Sequence, residues 1–306
     1  MHRGGKRFES ARVHFRTKEP LARFFCDNII DLMQETFSLI VFNTWNGRRW
    51  EEYVRFLEDT KSSTDIYCFQ EVLNGHEPGF TKSTGSRINH ITETTKILNA
   101  GYVAFANRQA YFKKDVLLEF LPYGIATVHD INHKRNLRLT ERQDIFLVGA
   151  MDSCDDPYAE NVQLPVVIQK IRYETFDGKP FYILNLHGYW QDGIGKGDHP
   201  VRLEQTKKLV TILEGLDAPW VLAGDFNMNL NSESIRLLEA LPGARNLIRE
   251  YEVTTTRTSL YPEVKRLKEP HADYIFVKNI AIDSFRVDPG LLVSDHAPMY
   301  LDFGVV

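Results

Sequence analysis

Trp220-Val-Leu-Ala-Gly-Asp-Phe-Asn227 is a short apolar run followed at once by a carboxylate and a carboxamide. Trp220 to Ala223 reads as a strand buried on both faces, because nothing in it alternates with polar residues. Asp225 and Asn227 stand at i and i+2, so they point to one side if the strand continues. The same arrangement recurs along the chain. Phe37-Ser-Leu-Ile-Val-Phe42 is an apolar run closed by Asn43, and Asp65-Ile-Tyr-Cys-Phe-Gln70 is another closed by Glu71. The run 181–186 leads into His187. Asp273 opens the strand 274–277, and Asp295-His296 precede the strand 299–303.

Helical periodicity fills the intervals. Trp50, Tyr53, Val54 and Leu57 repeat at i, i+3, i+4 and i+7, which marks an amphipathic helix. Ile88, Ile91, Thr95 and Leu98 predict a second helix, stopped by Gly101. Leu203, Thr206, Val210 and Leu213 predict a third, with Pro200 near its start. Ser232 caps a short helix through Glu239, ended by Pro242-Gly243. Further strands are predicted at 102–106, 124–128, 145–149, 166–175 and 282–287. Asp177-Gly178 signals a hairpin, because a tight primed turn needs positive φ. No repeat and no Pro/Ser/Gly linker divides the chain, so residues 33–306 are predicted to form one α/β domain.

Composition excludes several classes. Of 306 residues 43% are hydrophobic and 25% charged, which rules out a disordered or collagen-like chain. No apolar run approaches the ~20 residues of a membrane-spanning helix. The net charge of −4 offers no global basic excess for gripping nucleic acid, though a local basic groove is compatible with it. Residues 1–32 differ, with seven Lys or Arg against four acids, a net +3 that leaves −7 on residues 33–306. That segment is expected to be a basic extension, flexible or with a short helix from Leu21 to Met33. It has no apolar core of a secretory signal. Cys26, Cys68 and Cys154 have neither zinc spacing nor a disulfide framework, so a buried thiol at Cys68 and a reducing cytoplasmic address are expected. A monomer is the expected state.

A lone Asp or Asn after a strand is ordinarily a turn former, and a lone His is ordinarily structural. Eight such residues at strand ends are a different matter. Asn43, Glu71, His187, Asp225, Asn227, Asp273, Asp295 and His296 supply four carboxylates, two carboxamides and two imidazoles. Magnesium takes one or two carboxylates together with water and substrate oxygens. A phosphoryl centre needs donors for its developing charge, and a water nucleophile needs a base.

The order Asn43, Gln70-Glu71, His187, Gly224-Asp225-Phe-Asn227, Asp273 and Ser294-Asp295-His296 resembles the endonuclease/exonuclease/phosphatase superfamily, from about Phe37 to Phe303. The resemblance implies a four-layer α/β sandwich, two mixed β-sheets packed face to face with helices outside. It implies a divalent ion, usually Mg2+ with Mn2+ as the alternative, held by Glu71 with Asn43 and Asp295 nearby. It suggests that Asp225 and Asn227 orient the attacking water and stabilise the transition state, and that His296, paired with Asp273, serves as the acid/base or as a phosphate-binding imidazole. His187 would be a second residue facing the phosphate or leaving group, and its presence tilts the chain toward the deoxyribonuclease, deadenylase or sphingomyelinase side.

The segment Gly188-Tyr-Trp-Gln-Asp-Gly-Ile-Gly-Lys-Gly-Asp-His-Pro200 follows His187 directly. It is either a substrate loop or a connection whose aromatics pack on the domain. As a substrate loop it would use Lys196 or Arg202 on a phosphate and Tyr189 or Trp190 on a base. A nuclease is the leading expectation for the substrate. A phosphatase, a sphingomyelinase-like phosphodiesterase and a non-catalytic binding module are the alternatives.

Overall fold

The computed structural model of the chain describes residues 35–81, 84–111, 121–129, 137–150, 165–191 and 193–306. The expected extension 1–32 and its helix, Cys26 and Cys154 lie outside the described residues.

Among the described residues, twelve strands form two six-stranded sheets. The first has the order β11 (Ile280–Val287), β12 (Met299–Val305), β1 (Thr36–Asn43), β2 (Ile66–Leu73), β4 (Leu121–His129), β3 (Tyr102–Tyr111). The second has the order β5 (Arg138–Val148), β6 (Val166–Glu174), β7 (Pro180–His187), β8 (Trp220–Asp225), β10 (Asp273–Lys278), β9 (Ala244–Asn246). Each sheet has one parallel pair near its middle, β1 with β2 and β7 with β8, and the other pairings are antiparallel.

Side-chain alternation sets the layers. Phe37, Leu39 and Val41 of β1 join one buried cluster with Ile168, Phe181 and Ile183 of the second sheet. Ile40 and Phe42, one residue out of phase, join a separate cluster with Tyr53, Phe56 and Leu57 of α1 (Trp50–Thr60) and Ile91 and Leu98 of α2 (His90–Leu98). Successive side chains of a strand point to opposite faces, so β1 is covered by a sheet on one side and helices on the other. Leu209 and Leu213 of α3 (Pro200–Glu214) pack with Ile235 and Leu238 of α4 (Glu233–Glu239) on the second sheet's cluster. The result is the two-sheet mixed sandwich with outer helices.

Several local expectations need correction. α2 ends at Leu98, because the left-handed φ of 49° at Asn99 closes the helix before Gly101 is reached. β5 begins at Arg138, well before the apolar stretch 145–149, because its early part is a half-exposed ladder against β6. Gly178 does turn the β6–β7 hairpin with φ 83°, but the connection is the five residues 175–179, closed by Thr175 N donating to Lys179 O. Two short helices, α5 (Leu247–Glu250) and α6 (Glu263–Lys268), have no counterpart in the sequence expectations. Cys68 is buried, and burial pushes its thiol up to about 12. No described helix is long and apolar enough to cross a membrane.

Candidate active site

Strand register lines up the polar residues. His187 at the end of β7 is level with Asp225 at the end of β8, and Asp225 is level with Asp273 at the start of β10. In the first sheet Asn43 at the end of β1 is level with Gln70 on β2, next to Glu71. Asn43 Nδ2 joins the two rows, donating to Glu71 Oε1 at 3.2 Å and to Asp225 Oδ2 at 3.0 Å. Gln70 has a different task. Its amide donates to Asn185 Oδ1 at 2.8 Å, buried between the sheets.

Two glycines permit the β7–β8 junction. A Cβ on Gly224, whose φ is 140°, would lie 2.0 Å from Leu186 O, and one on Gly188 would lie 2.2 Å from Phe226 O. Only residues without a side chain allow this approach. The backbone is held in unusual conformations nearby. Trp45, Asn46, Glu71 and Asn227 all have φ between 50° and 56°, and Glu71 sits where β2 bulges against β4. Non-glycine residues held there cost free energy that the surrounding structure must offset, a pattern concentrated at functional sites.

Asp225 is the centre. It is buried, and burial disfavours its charge. His296, Lys196, His187 and Arg257 together outweigh that and hold its carboxyl well below the usual range. Its Oδ1 accepts from Asn227 N at 2.9 Å, and its Oδ2 lies 3.6 Å from His296 Nε2 and 3.8 Å from His187 Nε2. His296 Nδ1 sits 2.8 and 2.9 Å from the two oxygens of Asp273. Burial drives His187 well below the ordinary imidazole value, with Arg108 adding to the effect, so it is neutral near pH 7. Burial and Arg257 also oppose charge on His296, but Asp273 and Asp225 prevail and raise it. Arg257 Nη1 nevertheless contacts His296 Nε2. A nitrogen that accepts from a guanidinium carries no proton, so this contact describes the neutral ring. Protonation of the ring, which Asp273 and Asp225 favour, would break the contact with Arg257.

The donors suit an oxygen-preferring divalent ion. Burial raises Glu71, and the neighbouring Asp295 carboxylate raises it further, a repulsion that a cation would relieve. Glu71 Oε2 also accepts from Asn46 Nδ2 at 3.1 Å. Ligand atoms of Glu71, His187 and Asp225 lie within 4.8 Å of one another, as do those of Asp225, Asp273 and His296. Asn43 Oδ1 accepts from Trp45 N at 3.0 Å, so its amide bridges the carboxylates with the nitrogen side.

The loop after His187 divides its residues. Lys196 is only 5% exposed and donates through Nζ to Asn227 Oδ1 at 2.5 Å, which places its charge in the site. Arg202 does not reach out to a phosphate. It is buried, and its guanidinium donates to Gly195 O at 2.6 Å, Gly197 O at 2.7 Å and Tyr189 O at 3.4 Å. It pins the loop, because an inward-facing segment of carbonyls needs buried donors. Tyr189 is buried too, stacked on His199 with centroids 5.4 Å apart, so it is not available to stack on a base. Trp190 is 44% exposed. Asn46, Arg257 and Arg108 escaped sequence reading, since an Arg outside any strand end carries no positional signal.

The model of the endonuclease/exonuclease/phosphatase family matches residues 40–296. No protein in a curated comparison set matches the chain in sequence. An endonuclease/exonuclease/phosphatase structure from Bacteroides vulgatus superposes with a TM-score of 0.62 at 16% identity, covering 89% of this chain and all of that one. The human Nocturnin catalytic domain with bound sulfate anion gives 0.60 at 16%, covering 89% and 94%. The Bacteroides thetaiotaomicron mannosyl-6-phosphatase gives 0.59 at 15%, covering 87% and 99%. At such identities structural likeness carries the fold alone, and it agrees with the strand orders above. With the match over 40–296 and the buried acid–imidazole cluster, this chain belongs to the endonuclease/exonuclease/phosphatase family and is a phosphoesterase of that family.

Proposed function

We propose that the chain hydrolyses phosphodiester bonds of nucleic acid by attack of a water molecule, with Mg2+ as its ion. The observation that carries the phosphoester reading is Asp225, an ionised buried carboxylate within 4 Å of two imidazoles and bridged by Asn43 to Glu71. Glu71 and Asp295 would hold the ion, with Asn43 orienting Glu71. When bound, the ion supplies Lewis-acid polarisation of a phosphoryl oxygen. Asp225 and Asn227 orient the water. A carboxyl held so acidic is suited to accept a hydrogen bond from that water rather than to keep its proton. The water oxygen bonds to phosphorus as the ester P–O bond breaks, the water's proton passes to solvent, and the departing oxygen is protonated. His296, steered by Asp273, faces the phosphoryl oxygens, and neutral His187 is a donor on the same side. Exposed Trp190 offers a face for a base.

A phosphatase is the second reading. The charged groups nearest Asp225 are buried rather than spread along a surface track, which suits a single phosphate group. Purified protein assayed with Mg2+, and again with EDTA, against single-stranded RNA, plasmid DNA, a sugar phosphate and sphingomyelin separates the readings. Cleavage of a nucleic acid only with Mg2+ supports the first. Phosphate release from the sugar phosphate alone supports the second, and EDTA-resistant activity contradicts both.

A further inference from the structure

We propose that Arg257 is a catalytic residue whose guanidinium leaves His296 when substrate arrives and grips the non-bridging oxygens of the phosphoryl group. The inference rests on the phosphoester reading above and adds a residue to it.

Arg257 is set in place by backbone. The segment 256–258 pairs with 295–297: Ala297 N donates to Thr256 O at 2.9 Å and Thr258 N donates to Asp295 O at 3.1 Å, with Arg257 and His296 as bridge partners. Thr256 Oγ1 in turn accepts from Ala272 N at 3.0 Å and Asp273 N at 3.2 Å. The residue is thus tied to both halves of the His296–Asp273 pair. Its guanidinium lies over the Tyr261 ring at 4.3 Å, which fixes the plane of the fork.

A buried guanidinium needs acceptors matched to its five donors. Arg257 is 1% exposed, yet its Nε has no hydrogen-bond partner, and Nη1 is spent on His296 Nε2. Asp225, Asp273 and Asp295 are near enough to favour its charge, but no hydrogen bond joins it to any of them among the described residues. A counterion placed only to neutralise these carboxylates would donate to them. This one donates to the imidazole atom that faces Asp225 at 3.6 Å, the atom that would meet a phosphoryl oxygen. A phosphoryl group on Asp225's water therefore arrives between Nη1 and Nε2 and offers Nη1 a stronger, anionic acceptor than the imidazole nitrogen. Lys196, whose charge is felt by Arg257 and Asp225 alike, flanks the same space. Attack on a phosphodiester adds negative charge to the non-bridging oxygens, so the grip tightens in the transition state and acts on kcat more than on KM.

The test is steady-state kinetics and thermal melting of Arg257→Ala and Arg257→Lys, with and without added guanidinium ion. We expect folded Arg257→Ala to lose about 10²- to 10³-fold in kcat with little change in KM, the usual size for one lost donor at a developing charge. Guanidinium should restore part of it, and Arg257→Lys should fall between, keeping charge without the fork. A lower melting temperature with wild-type kcat in the folded fraction overturns the proposal and makes Arg257 a structural counterion. If Arg257→Ala does not fold, Arg257→Lys decides: wild-type kcat overturns the proposal, and reduced kcat at an unchanged melting temperature supports it. If the wild type hydrolyses none of the substrates, the phosphoester reading fails separately. Inorganic phosphate with Mg2+ then tests the grip alone. Stabilisation of the wild type but not of Arg257→Lys supports it, and equal or no stabilisation of both overturns it.

Discussion

Replacing Lys196 by Met should make the metal-free protein more stable. Burial forces the Lys196 ammonium down from 10.5 to about 8, with nearby Arg257 adding to the effect and Asp225, Asp273 and Glu269 resisting it. The drop of about 2.5 units corresponds to about 3 kcal/mol charged against the folded state near pH 7, at 1.36 kcal/mol per unit. Methionine keeps the length and removes the charge. It also forfeits the hydrogen bond to Asn227 Oδ1, worth about 1 kcal/mol net. The expected gain is about 2 kcal/mol, a rise of about 4–8 °C in melting temperature for a domain of this size. The pH dependence follows in sign. Between the folded value of about 8 and the unfolded 10.5, the unfolded chain binds more protons. Wild-type stability attributable to this group therefore rises with pH across that window, and the advantage of the variant shrinks. Melts of both proteins in EDTA, from about pH 7 to about pH 10.5, measure the difference while other groups cancel. A variant that is less stable near pH 7, with a pH-independent difference, would refute the claim that a charged Lys196 is held there at a cost. The same substitution should slow turnover, because the charge beside Asn227 is lost.

Glu71→Gln keeps shape but removes the charge that a cation would need. Its apparent Mg2+ affinity should fall and activity should recover in part at high Mg2+; an unchanged metal titration would remove Glu71 from the ion's site. Gly224→Ala puts a Cβ where Leu186 O stands 2.0 Å away, so it should cost about 3 kcal/mol or more or prevent folding; a wild-type denaturant midpoint would contradict the packing argument. His296→Ala and Asp225→Asn act on one transition state. Their double variant should lose far less than the product of the single losses, and full multiplicativity in kcat would argue for independent roles.

The strand ends were legible because a buried strand leaves few reasons for a polar residue to stop it. Asn43, Glu71, His187, Asp225 and Asp273 were each marked by the apolar run beside them, and register then lined them up. The helices of the first half were legible from period alone, since Tyr53 and Leu57 must face the sheet that covers Phe42. Sheet order was not, because pairing is decided by contacts far apart in sequence. Arg202 shows a second limit. Basic residues in a glycine-rich loop look the same whether they face a ligand or bond to the loop's own carbonyls, and only the fold assigned Lys196 to one and Arg202 to the other. Asn46 was hidden in a turn, three residues past the buried end of the first strand, and its bond to Glu71 depends on a left-handed φ of 54° that composition does not announce.

Turnover of a phosphodiester accepted by the wild type, measured with Mg2+ on folded Asp225→Asn beside a thermal melt of the same sample, tests the central claim most directly. The account predicts a loss of about 10²–10⁴ in rate, the size of a lost water-orienting group, with the protein still cooperatively folded. Full turnover by folded Asp225→Asn would contradict it, and would leave Asp225 as a residue that only joins the ends of two sheets.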